Sequence, residues 1–227
     1  MSSPRDGGVA PAGGLPGGDP TRARSTPLSV GVLASGSGTN LQALLDTVHG
    51  REARLVAVAS DKPGARALER AAAAGVPTRV FPRADFASRE DRDAAIADWL
   101  AQWGVELVVL AGYMQLCSAT FLARFPDRVL NVHPALLPAF PGIAAIAQAV
   151  EHGVKVFGVT VHLVDEGVDT GPIVLQAAAE IPNATDPEAV HEALRSLEHR
   201  LLPEAVRLVA RGALRRDPSN PRRILVD

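Results

Sequence analysis

At 227 residues, with 47% hydrophobic and 4% aromatic content, the chain is long enough to bury one sizeable core. A formal charge of −2 argues against a dominant polyanion-binding surface, so phosphate recognition is expected to be local and no nucleic-acid partner is expected. The single cysteine, Cys117, fits a reducing compartment, and no apolar run approaches the roughly 20 residues of a membrane span, so the expected location is cytoplasmic with no membrane partner.

Residues 1–27 are rich in glycine and proline and lack apolar periodicity. Such a composition cannot offset its ordering entropy, and a disordered N-terminal extension is expected there. The fold begins at 28–34, a short apolar run typical of a central parallel strand. A polar loop follows. Leu41, Leu44, Leu45 and Val48 then predict a helix starting at Thr39 or Asn40. A strand at 55–59, a helix at 64–74, a strand at 78–81, a helix at 89–103 and strands at 107–111 and 129–132 continue the alternation. This order implies an α/β fold, Rossmann-like, with a mostly parallel twisted sheet covered by helices on both faces.

The pattern changes after His133. The β-like runs 156–164 and 173–181 are joined by only the loop 165–172, too short for a parallel crossover, so an antiparallel excursion is expected. Thr185-Asp186-Pro187-Glu188 reads as a capping-box start, with proline in the first turn, of a long amphipathic C-terminal helix that Pro203 could kink. A single domain over 28–215 is expected, with residues 216–227 as a loose C-terminal tail.

Five stretches carry candidate chemistry. In Ser37-Gly38-Thr39-Asn40, a strand–glycine loop–helix places backbone N–H groups and the positive end of a helix dipole at one point, which favours a phosphate. It is neither the dinucleotide fingerprint nor a Walker loop, and a plain tight turn has the same outline. Met114-Gln115-Leu116-Cys117 follows the fourth strand's C-terminal end, where α/β sheets bind ligands; an apolar loop there either walls a flat ring or simply packs. Arg89 stands at a helix start, where spacing alone reads as a charged surface. Asn131 and His133 lie two apart at a strand end, so both side chains face one side; an amide and an imidazole there suit a carbonyl oxygen gaining negative charge, although an ordinary strand end looks the same. Asp169, in a glycine-punctuated acidic loop, either orients His133 and holds a water for proton transfer or belongs to a solvated turn. His162 faces either cleft or core. The histidines show no ligand-pair spacing, so no metal is expected, and Cys117 has no histidine near it in sequence to make it a nucleophile.

Together these segments resemble the phosphoribosylglycinamide formyltransferases, a folate-dependent formyltransferase family of purine synthesis. The matches run in order through Ala34-Ser35-Gly36-Ser37-Gly38-Thr39-Asn40, Ser88-Arg89-Glu90, Ala111-Gly112-Tyr113-Met114, the proline-rich run 131–142, Val161-His162-Leu163-Val164, Asp169-Thr170-Gly171-Pro172-Ile173 and Glu198-His199. The resemblance implies that Asn131, His133 and Asp169 are catalytic. It implies that Ser37, Gly38, Thr39, Asn40 and Glu198 bind phosphoribosylglycinamide. Arg89, Met114, Gln115, Leu116, Cys117 and Asn131 would line the site of the co-substrate 10-formyltetrahydrofolate. One departure stands out: where the family usually has histidine two residues after Pro141-Gly142, this chain has Ala144.

The implied reaction is direct attack of the glycinamide amine on the formyl carbon, without a covalent enzyme intermediate. Asn131 and His133 would stabilise the oxyanion, and Asp169 would orient the imidazole. The expected partners are small-molecule substrates, with the chain a monomer or homodimer. Two alternatives share the formyl-folate core or its remnant: a formyltetrahydrofolate hydrolase and a non-catalytic folate- or nucleotide-binding homologue.

Overall fold

Unbroken apolar strands can survive only where helices cover both faces of a sheet, and this requirement sets the architecture. The computed structural model describes residues 26–227; the expectation of a disordered extension falls almost wholly outside them. The chain runs β1 (Leu28–Leu33), α1 (Thr39–Thr47), β2 (Ala53–Ser60), α2 (Arg66–Ala73), β3 (Thr78–Val80), a 3-10 turn (Arg83–Asp85), α3 (Arg89–Gln102), β4 (Leu107–Leu110), α4 (Ala119–Arg124) and β5 (Val129–His133). It continues with α5 (Ala145–His152), β6 (Val156–Leu163), β7 (Ile173–Glu180), α6 (Pro187–Arg211), β8 (Leu214–Asp217) and β9 (Asn220–Val226).

The strands form one sheet in the order β3-β2-β1-β4-β5-β6-β7-β9-β8. β1 through β5 are parallel, and β6 turns antiparallel to both β5 and β7. Alternate residues of each central strand feed two apolar layers. Val30, Val32, Leu107, Val109 and Leu130 join the layer under α1, α2, α5 and α6. Leu33, Val108, Leu110 and Val129 join the layer under α3 and α4. The strand order reverses between β1 and β4, and the loops leaving these two strands flank the crevice where such sheets bind ligands.

The mixed α/β architecture, the antiparallel excursion and the long closing helix are as the sequence predicts. Three details differ. Asp186, not Thr185, caps α6: its side chain accepts from the Glu188 N–H, because Pro187 occupies the first helical position and starts the helix one residue later. α6 runs unbroken through the buried Pro203. The expected loose tail is instead the β8–β9 hairpin, with β9 pairing in parallel to β7 through Ile173 and Arg223. Its strands are arginine-rich: Leu214 and Ile224 pack on the core, and ion pairs join Arg216 to Asp127 and Arg223 to Asp217.

Candidate active site

A cleft of about 580 Å³ opens at the C-terminal ends of β1, β4 and β5. Its floor begins with the glycine loop. Gly38 takes a left-handed conformation (φ 71°) immediately before α1 and offers no side-chain cap, so the first N–H groups of the helix are left for a ligand. A Cβ at Gly38 would lie 2.6 Å from Ala67 Cα, so only glycine fits against α2. α2 also holds the loop from behind: the Ala67 N–H donates to the Gly36 carbonyl at 3.2 Å and Arg70 Nε to the Ser37 carbonyl at 2.9 Å. With these carbonyls tied away from the cleft, Ser37, Gly38, Thr39 and Asn40 line it.

Glu198, 158 residues further on, reaches the same place from α6. Asn40 Nδ2 donates to its Oε2 at 3.0 Å, both side chains being buried. Asn40 Oδ1 has no partner, which leaves one buried acceptor beside the carboxylate. His191, also on α6, lines the cleft and was not singled out in the sequence.

The opposite wall is the loop after β4. Met114 and Leu116 are more than half exposed, and Ile143 and Val168 are further exposed apolar residues lining the same cleft. Gln115 and Cys117 complete the wall. Burial, with the charge of Asp93, pushes the Cys117 thiol up to about 12, so it is no nucleophile at neutral pH. Arg89 is the one predicted site residue not on the cleft wall. It opens α3 with a half-exposed side chain paired to Glu90 at 3.3 Å, although its charge is felt at Cys117.

Asp169 is the centre of the arrangement. Its Oδ1 lies 3.4 Å from Asn131 Nδ2 and 3.4 Å from His162 Nε2; its Oδ2 lies 3.3 Å from His133 Nδ1 and accepts from the Gly142 N–H at 2.8 Å. Burial alone would raise its pKa. The hydrogen bond from His162, the Gly142 N–H and the charges of His133 and His162 outweigh burial and bring the carboxyl down to about 2. The residue adopts φ 52°, a conformation that aspartate tolerates better than most.

Asn131 and His133 do face the same side, as their spacing requires. His162 resolves to the cleft. Antiparallel pairing sets Asn131 directly opposite His162, and Asn131 Nδ2 lies 3.1 Å from His162 Nε2. The other ring nitrogen, Nδ1, faces the Leu163 carbonyl at 2.9 Å, which fixes the proton there and leaves Nε2 to accept from Asn131 or, when protonated, to donate to Asp169. Only the register of β5 on β6 could have revealed this contact. His133 is tethered on both sides: Nε2 donates to the Phe140 carbonyl at 2.9 Å, and Nδ1 faces Asp169. With a proton on both nitrogens it would be an imidazolium paired with the carboxylate.

Residues 140–144 arch over these groups. Phe140 and Ala144 both have positive φ, 53° and 59°, and Ala144 precedes α5 without a side-chain cap. The alanine therefore presents a methyl group, and no titratable group, to the cleft that it lines.

A formyl transferase family model matches residues 28–206. The chain is 48% identical over 187 residues to the phosphoribosylglycinamide formyltransferase of Mycobacterium tuberculosis (strain ATCC 25618 / H37Rv), covering 82% of this chain and 86% of that one. It spans only 14% of the trifunctional purine biosynthetic protein adenosine-3 of Drosophila pseudoobscura pseudoobscura, to which it is 46% identical over 191 residues. Among solved structures, glycinamide ribonucleotide transformylase 1 from Symbiobacterium toebii superposes with a TM-score of 0.84 at 46% identity, covering 89% of this chain and 95% of that one. On sequence and fold alike, this chain belongs to the phosphoribosylglycinamide formyltransferase family of formyl transferases.

Proposed function

We propose that the chain transfers the formyl group of 10-formyltetrahydrofolate to the amine of 5-phosphoribosylglycinamide, in the cytoplasm. The observation that carries this reading is the convergence of Asn131, His133 and His162 on Asp169 beside an uncapped helix N-terminus and an apolar wall. The glycine loop takes the phosphate. Glu198 and the free acceptor of Asn40 meet the donors of the ribose or glycinamide. Met114 and Leu116 cover the pterin. Arg89, off the cleft wall and paired to Glu90, would have to turn from that partner to offer its charge to the carboxylate end of the folate.

The amine nitrogen bonds to the formyl carbon while the carbonyl π pair moves onto oxygen. Asn131 donates to that oxyanion through the amide hydrogen not directed at Asp169 or His162. His133, when protonated, adds positive charge held in place by Asp169. For His133 to donate to the oxyanion directly, Nε2 has to leave the Phe140 carbonyl. Collapse breaks the bond to folate N10, which takes the proton released by the amine. A carboxyl near 2 is a poor proton acceptor at neutral pH, so Asp169 orients the imidazoles and positions a water for this transfer rather than itself serving as the base. The products are formylated ribonucleotide and tetrahydrofolate.

Mixing the protein with 10-formyltetrahydrofolate, with and without phosphoribosylglycinamide, tests the assignment. Tetrahydrofolate formed only when the ribonucleotide is present supports transfer. Product formed without it would make the chain a hydrolase, and binding with no product would make it a non-catalytic homologue. Asn131→Ala is expected to lower turnover roughly a hundredfold, the loss of one oxyanion donor worth about 3 kcal/mol. Near-wild-type turnover would remove Asn131 from the mechanism.

A further inference from the structure

The loops that carry the two subsites are bonded to each other beneath the cleft. The Met114 N–H donates to Ser35 Oγ at 3.0 Å, so the Ser35 proton must go elsewhere. It goes to Asp61 Oδ1, at 2.6 Å. The other oxygen of Asp61 accepts from Gln115 Nε2 at 3.1 Å, and this turns Gln115 Oε1 toward Arg92 Nη1 at 3.4 Å. Arg92 is 2% exposed and can only donate. Each hydrogen bond in the chain therefore has one permitted direction. Asp61, which follows β2 and is not part of the cleft wall, receives donors from both loops.

We propose that Asp61 is a positioning residue that couples the glycine loop after β1 to the folate loop after β4. Occupancy of one subsite then tightens the other, by the same factor in both directions. This inference rests on the assignment of the two loops made above. A carboxylate is required because it accepts on both oxygens. An amide at position 61 accepts on one side only. If it keeps Ser35, its NH2 opposes the Gln115 NH2, and turning Gln115 over sets that NH2 against Arg92.

The test uses calorimetric titration of the full chain with phosphoribosylglycinamide, alone and in saturating tetrahydrofolate, a pair with no formyl group to transfer. The wild type is expected to bind the ribonucleotide at least about fivefold more tightly in the ternary complex. Asp61→Asn is expected to bind each ligand singly and to lose this difference. The double variant D61N/Q115E keeps the net charge and restores a donor–acceptor match along the whole chain, so it is expected to recover the difference. Coupling retained in Asp61→Asn, absent from the wild type, or not recovered in a folded D61N/Q115E overturns the proposal. A wild type that binds neither ligand singly removes the site assignment, and the coupling with it.

Discussion

The glycine loop offers the sharpest quantitative test of the fold. Gly38→Ala places a methyl group 2.6 Å from Ala67 Cα, 2.8 Å from its Cβ and 3.2 Å from its backbone nitrogen. These are backbone and short side-chain atoms at the start of α2, so nothing flexible can swing away. The substituted residue must also hold φ near 71°, where a non-glycine residue costs about 1–2 kcal/mol. Forcing the loop off α2 adds overpacking of about 1–3 kcal/mol. For a chain of this size, a total of about 2–5 kcal/mol lowers Tm by roughly 5–15 °C. The displacement also carries the α1 N–H groups away from a bound phosphate. KM for phosphoribosylglycinamide is therefore expected to rise about tenfold or more, about 1.4 kcal/mol at least. Differential scanning fluorimetry and initial-rate kinetics measure the two effects. A melting temperature within about 2 °C of wild type, together with an unchanged ribonucleotide KM, would refute both the close approach of Gly38 to Ala67 and the phosphate role of the loop.

Two further predictions concern charge. Asp169 has a carboxyl near 2 in the folded chain against 3.8 for an unperturbed carboxylate, so it binds its proton less tightly when folded. Its contribution to stability is then complete above pH 4 and is lost as the pH falls through about 2. The difference in denaturant midpoint between wild type and Asp169→Asn is expected to shrink as the pH falls below 4; a gap that persists unchanged from pH 5 to 2.5 contradicts the assigned contacts. Cys117, whose thiol lies near 12, is expected to react with iodoacetamide at pH 8 at least tenfold more slowly in the native chain than in urea; equal rates would mean that the wall behind it is open.

The central strands could be read from the sequence because burial on both faces leaves unbroken apolar runs, as in Leu107-Val108-Val109-Leu110. The elements that escaped notice lack that signal. α5 begins at an alanine with positive φ and no capping side chain, and α4 is only six residues long. The β8–β9 hairpin is short and arginine-rich, only Leu214 and Ile224 reach the core, and the Arg216–Asp127 pair that helps hold it joins residues distant in sequence. Of the site, the glycine loop and the Asn131/His133 pair follow from local spacing. The Asn40–Glu198 bond and the place of His162 depend on elements that meet only after folding. Arg89 illustrates the converse: a motif fixes its position in the chain, but its half-exposed side chain turns to Glu90 rather than into the cleft.

The hairpin bears on the chemistry as well as on the fold. Arg222 Nη2 donates to the Thr170 carbonyl at 2.8 Å, one residue beyond Asp169. On the same loop, Thr170 Oγ1 donates to Asp165, and the Gly171 position admits no side chain, since a Cβ there would lie 1.8 Å from the Leu163 carbonyl. The loop is thus fixed at its base by β6, along its length by its own hydrogen bonds, and from outside by the last strand of the chain. Such over-determination is what a carboxylate with positive φ, shared among two histidines and an amide, requires. Freed from these restraints, Asp169 would relax to ordinary backbone angles and solvate. The contact between Asp169 and His133 would then be lost with no cleft residue changed. An edge hairpin whose Arg222 lies 52 residues beyond Thr170 is, on this geometry, part of what holds the Asp169 loop in place.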